Sequence, residues 1–310
     1  MSRVLVTGVN GFVGKHLVTE LKERGCEVVG LGREEQPDIS LKSVLDSYQP
    51  CDLTDAEAVN SLSLESIDII ISLAGLVRVG TSFADADNYK KVNVSVLANI
   101  CQKLLDEKLN PHVVAVSSGA VYDKNQPMPL TEESKLAIKD SPYVMSKIMM
   151  EKAARDFIKQ GLRCTIVRPF NHAGPGQAEG FLIPDIYTKA LQAKKTGQPI
   201  KIGSLKSKRD YTDVRDVVRA YADLGLADSL EHDLYNVSSG RSVSGTDIAN
   251  LVLSKMGLVG AVEIIEDPSL IRPHDPLELV GNSQRLQAEV GWQPTIPIEQ
   301  TIEDFITAAG

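Results

Sequence analysis

Cysteine is scarce: four residues in 310 (Cys26, Cys51, Cys101 and Cys164), scattered, with no C-x-x-C pair among them. That pattern excludes a disulfide scaffold and the common zinc spacings, and it predicts small buried thiols in a reducing compartment with no metal site. The chain also lacks any basic block or stripe, and its 33 basic against 41 acidic residues leave a formal charge of −8. A nucleic-acid or acidic-membrane partner is therefore not expected. No apolar run reaches membrane-spanning length, and because the first strand-like run begins at Arg3 no signal peptide is expected. A cytoplasmic location is the expectation. Internal repeats and low-complexity tracts are missing as well. What remains, 43% apolar and 24% charged residues over 310 positions, is the composition of an ordinary globular enzyme-sized chain with one large or two interlocked domains.

The most informative stretch is Thr7-Gly8-Val9-Asn10-Gly11-Phe12-Val13-Gly14. Before it, Arg3-Val4-Leu5-Val6 reads as a buried strand. After it, Val13, Leu17 and Leu21 fall at i, i+4, i+8 on one face of a helix that stops at Gly25. Glycines at a strand-to-helix turn let a phosphate approach the backbone, and the new helix offers it unpaired N–H groups and the positive end of its dipole. A tight turn with close helix packing is the plainer alternative; strand before and helix after favour a dinucleotide site.

Glu27-Val28-Val29-Gly30-Leu31 is a second buried strand, and the residue that follows it discriminates between nicotinamide cofactors. An acid there would accept from a ribose 2′-hydroxyl; Gly32-Arg33 instead favours the 2′-phosphate of NADP over NAD. The other reading of Arg33 is an exposed partner of Glu34 or Glu35. Residues 34–50 read as a polar loop with at most a helical turn. Asp52 could accept from an adenine amino group or serve only as a turn residue, and Thr54…Glu57 has capping-box spacing. Asp68-Ile69-Ile70-Ile71-Ser72-Leu73 lacks alternation, as a strand covered on both faces does, and ends in Ala74-Gly75. Residues 85–109 read as a long helix containing Asn93, and Val113 to Ser117 as the next strand. This alternation predicts an α/β fold with a doubly wound parallel sheet, its chemistry at the carboxyl ends of the strands.

Ser117-Ser118 stands at such an end, and Ser141-Pro142-Tyr143-Val144-Met145-Ser146-Lys147 opens a helix reaching toward Gly161. Tyr143 and Lys147, at i and i+4, share a helix face, where an ammonium would favour the phenolate and lower the tyrosine pKa. With 33 basic residues in the chain, its eight tyrosines would give about one such pair by accident, so the pair carries weight only in its context.

In that order, T-G-x-x-G-x-x-G, the Ser-Ser strand end and Y-x-x-x-K resemble the extended short-chain dehydrogenase/reductase family over nearly the whole chain. The resemblance implies a Rossmann domain over residues 1–168, with roughly 214–250 packing back on it. Residues 169–310 would then form mainly a smaller α/β substrate domain. It implies Tyr143 as general acid/base, Lys147 as the ribose-binding, tyrosine-tuning cation, and Ser118, four before Tyr122, as the group that holds the substrate oxygen. Its cofactor site would comprise Gly8, Asn10, Gly11, Phe12, Val13, Gly14, Arg33, Asp52, Leu53, Leu73, Ala74, Gly75, Asn93, Ser117, Tyr143, Lys147 and Pro169.

Arg168-Pro169-Phe170-Asn171-His172-Ala173-Gly174-Pro175-Gly176-Gln177, Arg209-Asp210-Tyr211-Thr212-Asp213-Val214-Arg215-Asp216 and Ile271-Arg272-Pro273-His274-Asp275 are similar to segments of reductases acting on nucleotide-linked 4-keto-6-deoxyhexoses. They imply an NADPH-dependent C4 ketone reduction, with GDP-4-keto-6-deoxymannose the first substrate to consider. Asn171, Arg209 and Arg272 would join Ser118 at the substrate, the arginines gripping its diphosphate; acids beside each arginine offer a structural alternative. A 4-epimerase and a 4,6-dehydratase share the Ser-Tyr-Lys trio. The dehydratase needs an additional acid where this chain has Ala120, so it is disfavoured. A non-catalytic NADP-binding regulatory protein is the alternative of another class, disfavoured by the intact trio. A homodimer, pairing the helices that begin near residues 85 and 143, is expected by the same resemblance. Trp292 is expected to pack near the C-terminus.

Overall fold

A computed structural model describes residues 1–271 and 276–310. The first half alternates as its apolar periodicity dictates. Strand β1 (Arg3–Thr7) turns at Gly8 into α1 (Phe12–Glu23), whose Gly14, Leu17, Val18 and Leu21 face inward with Val13 half-buried beside them. Then come β2 (Glu27–Gly32), β3 (Ser47–Pro50), α2 (Ala56–Asn60), β4 (Ile69–Ser72), the single turn α3 (Val79–Ser82), α4 (Ala86–Asp106), β5 (His112–Val116), α5 (Pro142–Lys159) and β6 (Cys164–Pro169). The second half holds β7 (Asn171–Ala173), α6 (Leu182–Thr196), β8 (Ile200–Ile202), β9 (Lys208–Asp213), α7 (Val214–Leu226), β10 (Leu234–Val237), β11 (Ser242–Ser244), α8 (Gly245–Lys255), β12 (Ile264–Glu266), β13 (Glu278–Leu279), α9 (Gln284–Val290) and α10 (Ile298–Ala309).

Seven strands form one sheet in the order β10-β6-β5-β4-β1-β2-β3, every neighbouring pair parallel. The order reverses beside β1, so the carboxyl ends of β1 and β4 open a crevice there, as a doubly wound sheet does. Apolar cores cover both faces. One contains α1, α7 and Trp292, and the other holds the inner faces of α4 and α5. A third core joins α6, α8 and α10 in the smaller domain. Its strands run in the order β11-β9-β13 with β7 paired to β9, and β7, β9 and β13 contribute residues to the wall of the crevice. No helix among the described residues is long and apolar enough to cross a membrane.

Of the later segments, α7, β10, α9 and Trp292 pack on the large sheet. This packing does not extend to residue 250, because α8 buries Ile248, Ala249, Val252 and Leu253 in the third core. Two local expectations are also corrected. The polar stretch 34–50 contains β3, an edge strand that pairs with β2 through its backbone and has little apolar patterning to announce it. The cap of α2 is Asp55 rather than Thr54: the Asp55 carboxylate accepts from the N–H groups of Glu57 and Ala58, while Thr54 turns back to Asp52. At α8 a capping box forms, Ser244 accepting from Asp247 N–H and the Asp247 carboxylate from Ser244 N–H. All four cysteines are free and buried.

Trp292, 2% exposed, fills the core between the sheet and α7 and donates its indole N–H to the Asp216 carbonyl at 2.9 Å. Trp292→Ala should cost about 3–5 kcal/mol of unfolding free energy, the usual toll of truncating a large core aromatic. A urea titration measures it; a loss under 1 kcal/mol would mean that the C-terminal segment does not hold the sheet.

Candidate active site

The crevice is a cleft of about 1490 Å³ that runs from the glycine turn to the wall of the smaller domain. Single small-molecule sites occupy about 300–1,000 Å³, so this cleft has room for two ligands end to end.

At one end the backbone is shaped for an anion. Gly8 has φ +65°, and a Cβ there would lie 3.0 Å from the Cα and N of Ala74. A Cβ on Gly14 would sit 2.5 Å from the Val9 carbonyl oxygen. Both glycines are thus required by the turn itself, which leaves the first N–H groups of α1 facing the cleft. Thr7 Oγ1 accepts from Ala74 N–H at 3.0 Å, tying the loop after β4 to the turn. The open backbone and the unpaired N–H groups give this cradle the form a diphosphate would need.

Asn10, expected at the cofactor, has its amide engaged by the protein: Nδ2 donates to Glu34 Oε2 at 2.8 Å and Oδ1 accepts from Asp38 N–H at 2.8 Å. It therefore positions the loop that carries Arg33. Arg33 lines the cleft beside Glu34, whose carboxyl is held below its ordinary range by its own backbone N–H first, then by the Asn10 amide and the nearby charge of Arg33. Asp52 also lines the cleft; its Oδ1 accepts from Thr54 N–H and Oγ, so it is both turn residue and wall. Asn10, Gly11, Phe12, Val13, Leu53, Leu73, Ala74, Gly75, Ser117 and Pro169 all line the cleft.

Asn93 does not. It is 1% exposed, donates to Ser146 Oγ (2.8 Å) and the Leu76 carbonyl (3.1 Å), and accepts from Leu76 N–H (2.7 Å). Ser146 in turn donates to the Tyr143 carbonyl at 2.7 Å. Asn93 therefore staples the loop after β4 to the helix of the candidate catalytic residues instead of opening onto a cofactor.

Ser118, Tyr143 and Lys147 meet on the floor of the cleft. Ser118 caps the turn Gly119–Val121, its Oγ accepting from Ala120 N–H at 3.2 Å, which leaves its own proton for another acceptor. Ser141 caps α5 and Pro142 occupies its first turn, so Tyr143 and Lys147 project from a fixed start. Burial pushes the Tyr143 pKa up, and a hydrogen bond with Ser118 opposes this in part. The expected depression by Lys147 is not what the geometry gives. Lys147 is buried, donates to the Val116 carbonyl at 2.9 Å, and is itself lowered to about 8 by burial, with Glu151 pulling it back up. Tyr143 thus keeps its proton at neutral pH, the state a proton donor needs.

Glu151 had no role in the sequence reading. It accepts from Ser117 Oγ (2.6 Å) and takes both arms of Arg168 (2.8 and 2.6 Å), all three side chains buried. Arg168 lies over the Tyr122 ring at 4.6 Å, and Tyr122 donates to Asn236. Its i+4 spacing from Lys147 was the available signal.

On the substrate side, Asn171 and Arg209 line the cleft. Of the acids beside it, Asp210 accepts from Ser239, Gly240 and Gly281, and Asp213 binds Arg215 and Thr301. Arg209 donates to the carbonyls of Lys208 and Pro276. Arg272 lies outside the described residues. His172, unremarked outside its motif, lines the same wall, stacked on Phe12 at 6.4 Å, its pKa lowered by burial.

The model of the NAD dependent epimerase/dehydratase family matches residues 4–238. The chain belongs to that family. A GDP-6-deoxy-D-mannose reductase of Pseudomonas aeruginosa is 30% identical, the match covering 98% of this chain and 96% of that one. The structure described as RMD from Pseudomonas aeruginosa complexed with NADPH superposes with a TM-score of 0.85 at 28% identity, covering 99% of this chain and 98% of that chain. A UDP-glucose 4-epimerase with UDP-glucose from Thermotoga maritima has the same fold, with a TM-score of 0.88 at 22% identity and 99% and 98% coverage. The family member described here is an oxidoreductase dependent on a nicotinamide dinucleotide.

A lysine lowered to about 8 gives a signed pH dependence. Its burial penalty is fully present below that value and is relieved as pH rises from 8 toward the ordinary lysine range, so folding stability should rise there from this group. Activity that needs the ammonium should fall over the same interval. Glu151→Gln, which removes the charge that raises Lys147, should move the alkaline limb of the kcat/KM profile to lower pH. A limb that stays in place would remove Lys147 as its source.

Proposed function

We propose that the protein reduces the C4 ketone of a nucleotide-linked 4-keto-6-deoxyhexose with NADPH, GDP-4-keto-6-deoxymannose being the first substrate to test. The observation that carries this reading is the convergence of Ser118, Tyr143 and Lys147 midway along a two-ligand cleft. The glycine cradle lies at one end and Asn171 with Arg209 at the other. A bound nicotinamide dinucleotide would supply the hydride for C4. Tyr143, kept protonated by its burial, gives its proton to the carbonyl oxygen as that oxygen becomes an alkoxide. Ser118 donates a hydrogen bond to the same oxygen and holds it against the phenol. Lys147, fixed by the Val116 carbonyl and backed by Glu151, keeps a positive charge beneath the site below pH about 8. Ala120 lines this cleft with only a methyl group, which supports simple reduction over the elimination of water.

NADPH is favoured because Arg33 stands at the cleft while Glu34 is held on Asn10. The reading extends to a cytoplasmic homodimer built on the packed pair α4 and α5, with Met149 of α5 left 44% exposed. Light scattering reports the oligomeric state.

Three measurements test the activity. NADPH absorbance should fall rapidly with one of the GDP, dTDP or UDP 4-keto-6-deoxy sugars; no oxidation with any of them would sink the reductase reading. Tyr143→Phe should lose about 10²–10⁴-fold in kcat while still binding NADPH. Arg33→Ala should weaken NADPH about tenfold or more and leave NADH nearly unchanged, as loss of a charge-assisted contact to phosphate would.

A further inference from the structure

The loop after β4 carries a second arginine into the cleft that neither the motifs nor the spacing singled out. Arg78 lines the same cavity as Arg209 but enters from the dinucleotide domain, whereas Arg209 enters from β9 of the smaller one. Exposed arginines usually contribute little. This one is fixed at both ends. Its backbone carbonyl accepts from the hydroxyl of buried Tyr89 at 2.7 Å, which anchors the Cα to α4. Its guanidinium reaches across the cleft, donating Nη2 to the Glu179 carbonyl at 3.0 Å. Gly180, at φ +97°, makes room for it: a Cβ there would lie 3.2 Å from Arg78 Cζ.

The charge pattern of the cleft says what such an anchored cation is for. At the dinucleotide end Arg33 is accompanied by Glu34 and Asp52. Lys124 and Asp140, which also line the cleft, neutralise each other in an ion pair of 2.7 Å. Among the described residues no carboxylate pairs with Arg78, and its one hydrogen bond to a carbonyl leaves its remaining donors for an anion. The same loop passes the catalytic floor: a Cβ on Gly75 would be 3.9 Å from Lys147 Nζ, three residues before Arg78.

We propose that Arg78 binds the sugar-side phosphate of the substrate's diphosphate, completing with Arg209 a clamp with one arginine from each domain. The assignment rests on the nucleotide-sugar reading above and adds a specificity residue to it. Because Arg78 already bridges to Glu179, a diphosphate held there would also fasten the loop of residues 174–181 over the cleft.

Calorimetric titration of the wild-type protein with GDP, UDP and dTDP, and with the three monophosphates, tests this without turnover. One diphosphate should bind more tightly than its monophosphate. Arg78→Ala should weaken that diphosphate by about ten- to a hundredfold, with the monophosphate and NADPH unaffected, and Arg78→Lys should recover part of the loss. An unchanged diphosphate affinity, or equal losses for diphosphate and monophosphate, overturns the role of Arg78 alone. If the wild-type protein binds none of the diphosphates, the substrate class itself falls and the clamp falls with it.

Discussion

The buried ion pair between Glu151 and Arg168 is the constraint on which the candidate site depends. Burying two charges is expensive, and an apolar pair of similar volume can be equally stable, so the pair is poorly explained as a source of stability. Its value is directional. A carboxylate that accepts both arms of a guanidinium and the Ser117 hydroxyl has only one orientation, and α5 is thereby fixed in rotation and height against the ends of β5 and β6. Arg168 extends the restraint through the Tyr122 ring to Asn236 of β10. Among the described residues one guanidinium nitrogen, Nη1, has no hydrogen-bond partner, a residual cost of the arrangement. From this frame Tyr143 and Lys147 inherit their placement, and Lys147 inherits the negative charge that opposes its desolvation.

The same logic recurs in the loops. Asn10 joins the glycine turn to Glu34 and Asp38, and Asn93 joins the loop after β4 to α5. Both are amides that donate and accept at once, so each can lock two backbone segments where a carboxylate or ammonium could lock only one kind of partner. Catalysis by positioned hydroxyls needs such support, since a displacement of about 1 Å can cost a hundredfold in rate.

These two amides mark where the sequence was legible and where it was not. Periodicity read β1, α1, β2, β4, α4, β5 and α5 correctly, because each buries a contiguous apolar face whose spacing is set by its own geometry. Gly8 and Gly14 were legible because a Cβ at either would strike backbone, a constraint local to the turn. Asn93 was misplaced at the cofactor because a buried amide that bonds its own protein looks, in one dimension, like one that bonds a ligand. Glu151 was overlooked because its partner is seventeen residues away on another element. The edge strand β3 was hidden for the opposite reason: its pairing uses backbone atoms and leaves little trace in the side chains.

The two halves of the cleft are not independent pieces. Pro169 ends β6 at the cofactor side, and after one further residue Asn171 begins β7, which pairs with β9 directly above. The strand that ends the parallel sheet thus continues into the wall of the substrate side, and β9 runs straight into α7, which returns to cover the sheet beside α1. A displacement of Arg209 must pass through β9 to α7 and of Asn171 through β6 to Arg168. With so short a backbone path, the distance from the glycine cradle to the substrate wall is set by the packed sheet rather than by a flexible hinge. At the rim, the segments 76–83 and 174–181 meet through a side-chain contact, Arg78 to the Glu179 carbonyl, rather than through sheet pairing. A cleft built this way can hold its reacting groups in fixed register while its rim closes and opens for exchange of ligands.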